Sequence, residues 1–226
     1  MLLPKICGIK DIETLKYIIL HECPPKFVGM ILNYEKSPRL ISIEKAKELT
    51  NIKGPCEYVG VLTSPISLEL LELIKVFNFS YYQIYNQTPE QIKNIKNQYN
   101  KKIILALTVK TAEDIKQYKL YENILGPDDI VMFDSKGYSE TKSFDHSLLK
   151  AVRKSIKNQV MVAGGIKIDD NFSKIASFAD FCDLSGNLES KKGIKDLAEE
   201  IWHQQSKKVV IIISTVLPGT IRREIK

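Results

Sequence analysis

Residues 58–85 read YVGVLTSPISLELLELIKVFNFSYYQIY, and this stretch decides the fold. Tyr58 to Leu62 is a short apolar run. Leu68, Leu71 and Ile74 then recur every third residue, one face of an α-helix, and Tyr81 to Tyr85 is a second short run. A buried strand, a helix and another buried strand form a unit whose strands lie parallel. The alternation extends both ways, through runs at Leu2 to Cys7, Phe27 to Leu32, Ile103 to Val109, Ile130 to Asp134, Val160 to Ala163 and Phe181 to Leu184. Segments of helical period separate them, such as the one carrying Leu15, Ile18 and Ile19. Eight candidate strands within residues 1–205 predict an α/β protein folded as a single-domain (β/α)8 TIM barrel. An open doubly wound sheet competes, but it usually has fewer strands and often a G-x-G-x-x-G turn, which does not follow Cys7-Gly8 here.

Local signals agree with that reading. Thr88, with Pro89 and Gln91 behind it, predicts a capping box, and Thr111 with Asp114 a weaker one; Ser42, Ser67 and Asp145 are further candidate caps. Among the 226 residues, 44% are hydrophobic and 27% charged, the balance of a globular protein rather than of a disordered, collagen-like or coiled-coil chain. Val209 to Leu217 is about half the ~20 residues of a membrane span, and Met1-Leu-Leu-Pro-Lys5 lacks the pattern of a secretory signal, so a cytoplasmic protein away from membranes is expected. Cys7, Cys23, Cys56 and Cys182 form no C-x-x-C pair, which predicts neither a zinc site nor a disulfide framework. The net charge of +6 favours an anionic small molecule, while the scattered lysines and arginines, without interleaved aromatics, predict no nucleic-acid partner.

In a (β/α)8 barrel the chemistry sits at the C-terminal ends of the strands. Gly164-Gly165 and Ser185-Gly186-Asn187 follow the seventh and eighth runs, where such barrels often hold phosphate through backbone N–H groups; the alternative is that the glycines serve turn geometry. Asp134 ends the sixth run and faces either the barrel mouth or a helix N-terminus. Cys7 ends the first run, as a mouth residue or an inert core thiol. Arg39 has the planar geometry to clamp a carboxylate, or is a surface residue. His21, His146 and His203 fall in or at the start of helical segments, away from these ends.

Together these pieces resemble the phosphoribosylanthranilate isomerase family. They are Lys5-Ile-Cys-Gly-Ile-Lys10, Phe27-Val-Gly-Met30 with Ser37-Pro-Arg39, Val59-Gly-Val-Leu62, Phe133-Asp134 with Thr141-Lys-Ser-Phe-Asp145, Ala163-Gly-Gly165, and Cys182-Asp-Leu-Ser185 with Glu189 and Gly193-Ile-Lys-Asp196. The order holds from residue 3 to about 203, and what it implies is an Amadori rearrangement of N-(5-phosphoribosyl)anthranilate in tryptophan biosynthesis. By that resemblance Asp134 is the general acid and Cys7 the general base, Arg39 holds the anthranilate carboxylate, and Asp183 positions the substrate. Gly164, Gly165, Ser185, Gly186 and Asn187 bind the phosphate. No metal and no cofactor is implied, and the protein is expected as a monomer or homodimer. The chemistry calls for a carboxyl pKa raised and a thiol pKa lowered from about 8.5.

Three places depart from the family. The usual Gln-Leu-His-Gly pattern at the fourth run is Gln83-Ile-Tyr-Asn86 here, with Tyr85 in place of the histidine. The glycine-rich loop after the sixth run shrinks to Gly137-Tyr-Ser-Glu140, and the common Ser-Ser-Gly becomes Ser185-Gly-Asn187. Beyond a closing helix expected over about Gly193 to Gln205, residues 206–226 form an extra tail containing Ser214-Thr-Val-Leu-Pro-Gly-Thr220. Two other readings remain in view: a catalytically weakened barrel that binds a phosphorylated ligand, and another phosphate-binding barrel such as indole-glycerol-phosphate synthase, whose catalytic lysine would be Lys5 or Lys110.

Overall fold

The computed structural model describes residues 2–135, 144–167 and 170–196. Its eight main strands fall on the eight apolar runs, displaced by at most two residues at either end: β1 (Leu3–Cys7), β2 (Phe27–Ile31), β3 (Glu57–Leu62), β4 (Phe79–Tyr85), β5 (Lys102–Thr108), β6 (Ile130–Asp134), β7 (Gln159–Ala163) and β8 (Phe181–Leu184). They close in sequence order into a parallel barrel, with β8 returning to β1 so that Lys5 pairs with Asp183 and Ile6 with Leu184. An open sheet would leave β1 and β8 as edges; here each is paired on both sides.

Helices cover the outside. The first four are α1 (Ile12–Leu20), α2 (Ile43–Thr50), α3 (Leu68–Ile74) and α4 (Pro89–Tyr99). The later ones, α5 (Ala112–Ile115), α6 (Leu149–Val152) and α7 (Phe172–Ala176), are single turns, and α5 and α6 are prolonged by 3-10 turns. The starts singled out in the sequence satisfy backbone donors. Thr88 and Gln91 form a reciprocal capping box, Ser42 and Ser67 accept from Lys45 N–H and Leu70 N–H, and Asp145 accepts from Ser147 N–H. Asp114 accepts from the Thr111 N–H at 2.7 Å. Asp11 caps α1 in the same way, accepting from Thr14 N–H, a signal not singled out in the sequence.

Two local expectations are corrected. Leu68 is 67% exposed, because α3 starts there and only its later turn, with Leu71 and Ile74, rests on the sheet. Gly193 does not begin a helix: with φ +83° it turns a small antiparallel hairpin, β9 (Glu189–Lys191) and β10 (Ile194–Lys195), which follows a 3-10 turn at Gly186–Leu188. The remainder of the closing helix, His203, the 206–226 tail and the Gly137–Glu140 loop lie outside the described residues. No helix among the described residues is long and apolar enough to cross a membrane.

The barrel has two cores, as strand alternation requires. One lies between strands and helices and includes Leu15, Ile18, Leu49, Tyr82 and Phe133. The other fills the interior with Phe27, Ile31, Val59, Val61, Tyr81, Ile104, Met132, Met161 and Phe181. Phe27 packs edge-on against Tyr81 and Phe181, with ring centroids 5.3 and 5.1 Å apart, near the N-terminal ends of the strands. Cys7, Tyr85 and Ala163 belong to the same interior cluster but lie at the C-terminal ends, where the barrel opens.

Candidate active site

A cavity of about 560 Å³ opens at that end, and all nine residues singled out by the sequence line it: Cys7, Arg39, Asp134, Gly164, Gly165, Asp183, Ser185, Gly186 and Asn187. β1 carries Cys7 and β6 carries Asp134, with β7 and β8 between them. The two side chains therefore face a common space from different strands. Asp134 ends β6 at the barrel mouth, where it accepts a hydrogen bond from the Tyr85 hydroxyl at 2.9 Å. His146 does not line the cavity; its Nε2 is 3.1 Å from the Ala163 carbonyl oxygen, and burial lowers its pKa.

The floor of the Cys7 side is a buried charge pair. Lys5 and Cys7 are two residues apart on β1 and so point the same way, into the barrel. The β1–β8 register sets Lys5 beside Asp183, and its Nζ donates to Asp183 Oδ1 at 2.9 Å while being fully buried. Space for both β1 side chains comes from Gly29 on β2, where a Cβ would stand 3.0 Å from Cys7 Sγ and 3.1 Å from Lys5 Nζ. Burial works to lower the Lys5 pKa, but Asp183 and Cys7 outweigh it and hold the ammonium charged. Burial raises the Asp183 carboxyl, against the pull of Lys5.

The thiol departs from expectation. Its pKa is raised rather than lowered, because burial outweighs the stabilising charge of Lys5; Asp183 adds to the rise and Lys195 opposes it. The cations next to Cys7 restrain a shift that desolvation alone would make larger. The sign of the shift follows from burial, a property of the closed barrel that the end of a strand does not reveal in the sequence.

Arg39 is placed on the cavity but is not an unattached clamp. Its Nε donates to Glu189 Oε1 at 2.6 Å and its Nη2 to Glu189 Oε2 at 2.8 Å. Glu189 also accepts from Gly193 N–H at 2.9 Å and from Lys195 Nζ at 3.0 Å. Burial would raise the Glu189 pKa, yet Arg39, the Gly193 N–H and Lys195 bring it down to about 2. Lys195 also donates to the Ser185 carbonyl oxygen, and burial lowers its own pKa despite Glu189. The β9–β10 hairpin thus fixes one edge of the guanidinium and locks the β8 loop.

The glycines after β7 are required by geometry. Gly164 has φ +85°, and a Cβ there would stand 1.8 Å from Ser135 Oγ and 2.9 Å from Asp134 Oδ1. The loop after β8 leans on its neighbour: Asn187 Nδ2 donates to the Ile166 carbonyl oxygen at 2.5 Å and Ser185 Oγ to the Cys7 carbonyl oxygen at 3.2 Å. Lys36 and Lys192 also line the cavity and add positive charge to its mouth. Lys110 is exposed and does not line it. Lys5, Lys195, Glu189, Gln83 and Tyr85 carried no role in the isomerase reading of the sequence. Alternation along β1 and β4 was the signal that could have found Lys5, Gln83 and Tyr85.

Residues 4–201 match the family model described as N-(5′-phosphoribosyl)anthranilate (PRA) isomerase. The chain is 32% identical to the N-(5′-phosphoribosyl)anthranilate isomerase of Rhizobium rhizogenes over 202 residues, covering 85% of this chain and 87% of that one. It is also 32% identical to the enzyme of the same name from Campylobacter jejuni over 203 residues, or 87% and 94% of the two chains. Among solved structures, the fold is similar to that of a phosphoribosylanthranilate isomerase from Thermotoga maritima, with TM-score 0.78, 24% identity and coverage of 93% and 99%. It is similar as well to a phosphoribosyl anthranilate isomerase in complex with reduced 1-(o-carboxyphenylamino)-1-deoxyribulose 5-phosphate, with TM-score 0.77, 23% identity and the same coverage.

Proposed function

The chain belongs to the N-(5′-phosphoribosyl)anthranilate isomerase family and is an isomerase of tryptophan biosynthesis, and from that premise we propose how its cavity performs the reaction. Asp134 is the general acid and Cys7 the general base of an Amadori rearrangement. The observation that carries the assignment is that these two proton-transfer groups, on β1 and β6, line one cavity together with the glycine loops after β7 and β8.

The substrate phosphate sits on the Gly164-Gly165 and Ser185-Gly186-Asn187 loops, where chain without bulky side chains lets an anion approach the backbone. Arg39, held by Glu189 along one edge, turns the rest of its guanidinium to the anthranilate carboxylate. With both ends of the substrate fixed, Asp134 gives its proton to the furanose ring oxygen as the C1′–O bond breaks and the anilino nitrogen's electron pair forms the C=N bond of a Schiff base. Cys7 then takes the C2′ proton, and those electrons form the C1′=C2′ bond of an enolamine while the C=N pair returns to nitrogen. Tautomerisation gives the ketone, 1-(2-carboxyphenylamino)-1-deoxyribulose 5-phosphate. Asp183 positions the substrate beside Cys7, and the Lys5 ammonium below stabilises the thiolate that accepts the proton. Positive charge at Lys36 and Lys192 favours capture of a doubly anionic substrate. A cytoplasmic location is part of the same reading.

The test is turnover of freshly generated phosphoribosylanthranilate by the wild type, Cys7→Ala and Asp134→Asn. Both variants should remain folded and lose about 10²- to 10⁴-fold in kcat, the usual worth of a positioned acid or base. Wild-type binding without turnover would favour the weakened barrel instead.

A further inference from the structure

Gln83 and Tyr85 are two residues apart on β4, so both side chains point into the barrel. Gln83 Nε2 donates to the Tyr85 hydroxyl oxygen at 3.0 Å, and that hydroxyl donates to Asp134 Oδ2 at 2.9 Å. Gln83, Tyr85 and Asp134 are 1%, 4% and 9% exposed, so the chain of bonds is shielded from water. Strands β4 and β6 are not neighbours. Strand β5 lies between them, with Ala106 in register with Tyr85 and Thr108 in register with Asp134, so the phenol bridges from β4 to β6.

The direction of this chain follows from its atoms. An amide nitrogen only donates, so the phenol oxygen accepts from Gln83 and directs its single proton to the carboxyl group. We propose that Tyr85 is a positioning residue for the isomerisation: by donating to Oδ2 of Asp134 it orients the carboxyl group that protonates the ring oxygen and holds the carboxylate left behind. This rests on Asp134 as the general acid. The carboxyl proton moves to the ring oxygen as the C1′–O bond breaks, and the electron pair of the O–H bond stays on the carboxylate. A hydrogen bond to that ionised group is stronger than one to the neutral acid, so the contribution grows along the reaction.

The experiment uses Tyr85→Phe and Gln83→Leu in the full chain, with kcat, KM and the pH dependence of kcat measured on phosphoribosylanthranilate. Tyr85→Phe should lower kcat by about 10- to 100-fold, the worth of a hydrogen bond to a charged group, and leave KM within about threefold. Losing a donor to the carboxylate should also move to higher pH the descending limb that follows Asp134 ionisation. The other titratable groups lining the cavity, Cys7, Tyr34, Lys36, Arg39, Asp183 and Lys192, are unchanged in this variant. Gln83→Leu should act in the same direction and more weakly, and it carries the test if Tyr85→Phe does not fold. Unchanged kcat and limb in Tyr85→Phe, beside an inactive Asp134→Asn, would overturn the positioning role alone, as would a rise in KM with kcat intact. Full activity in Asp134→Asn would remove the acid assignment and the proposal with it.

Discussion

The two sides of the cavity hold Cys7 and Asp134 by opposite means. Cys7 stands on a buried ionic floor of Lys5 and Asp183, with Lys195 and Glu189 close behind; Asp134 accepts from the neutral Tyr85 hydroxyl, which itself accepts from Gln83. A thiol in an apolar barrel resists ionising, and only nearby cations counter that. A carboxyl group that must give up a proton is better served by a neutral donor, since a cation at hydrogen-bond distance would strip the proton beforehand. In the proposed reaction the base is thus held among charges and the acid by a neutral hydroxyl.

The largest effect that could break this contrast is on stability. Lys5→Met leaves the Asp183 carboxylate buried without its partner and should cost about 3–5 kcal/mol in urea unfolding. Tyr85→Phe removes a neutral donor from a filled site and should cost less than about 1.5 kcal/mol. Equal costs would mean that the two sides are not held differently. The same pair can be sharpened at the thiol: the pH midpoint for iodoacetamide reaction at Cys7 should rise in Lys5→Met, which loses a cation, and fall in Asp183→Asn, which loses an anion.

Gly164→Ala comes next, because its backbone lies in the left-handed region and its Cβ would press on Ser135 and Asp134. A cost of about 1–3 kcal/mol in stability is expected, with a fall in kcat from a displaced carboxyl group. On the opposite side, Gly29→Ala would crowd Cys7 instead, so the two variants displace Asp134 and Cys7 separately. Arg39→Lys, which loses the fork that engages Glu189, should raise KM about tenfold with a smaller change in kcat. A further effect appears only in acid. The Glu189 pKa falls from 4.5 to about 2 on folding, so its stabilising contribution is complete above 4.5 and lost as pH drops toward 2. Glu189→Gln should flatten the stability profile in that window, as followed by circular dichroism.

Much of the site was legible because a parallel barrel gathers all its strand ends at one rim. Cys7, Asp134 and the glycine loops stand at or just past the end of an apolar run, and finding them there required no knowledge of which strands are neighbours. Their partners were hidden by distance along the chain: Lys5 and Asp183 are 178 positions apart, Arg39 and Glu189 150, and Tyr85 and Asp134 49. Tyr85 stood out only as a departure from the family's histidine, and Lys5 only as part of a strand or as the lysine another barrel enzyme would need. The β9–β10 hairpin was missed because Gly193 was read as a helix start, whereas its φ of +83° serves a turn that only Glu189 and Lys195 explain.

The sequence by itself determined the order of strands and helices, the capped helix starts and the family, since these depend on periodicity and on short motifs within a few residues of one another. Tertiary structure decided which charges meet, and therefore the sign of the shift at Cys7 and the binding partners of Arg39 and Asp134. The reason is physical. Closing the barrel sets β1 against β8 and removes water from both, and neither pairing register nor desolvation is written at any one position of the chain.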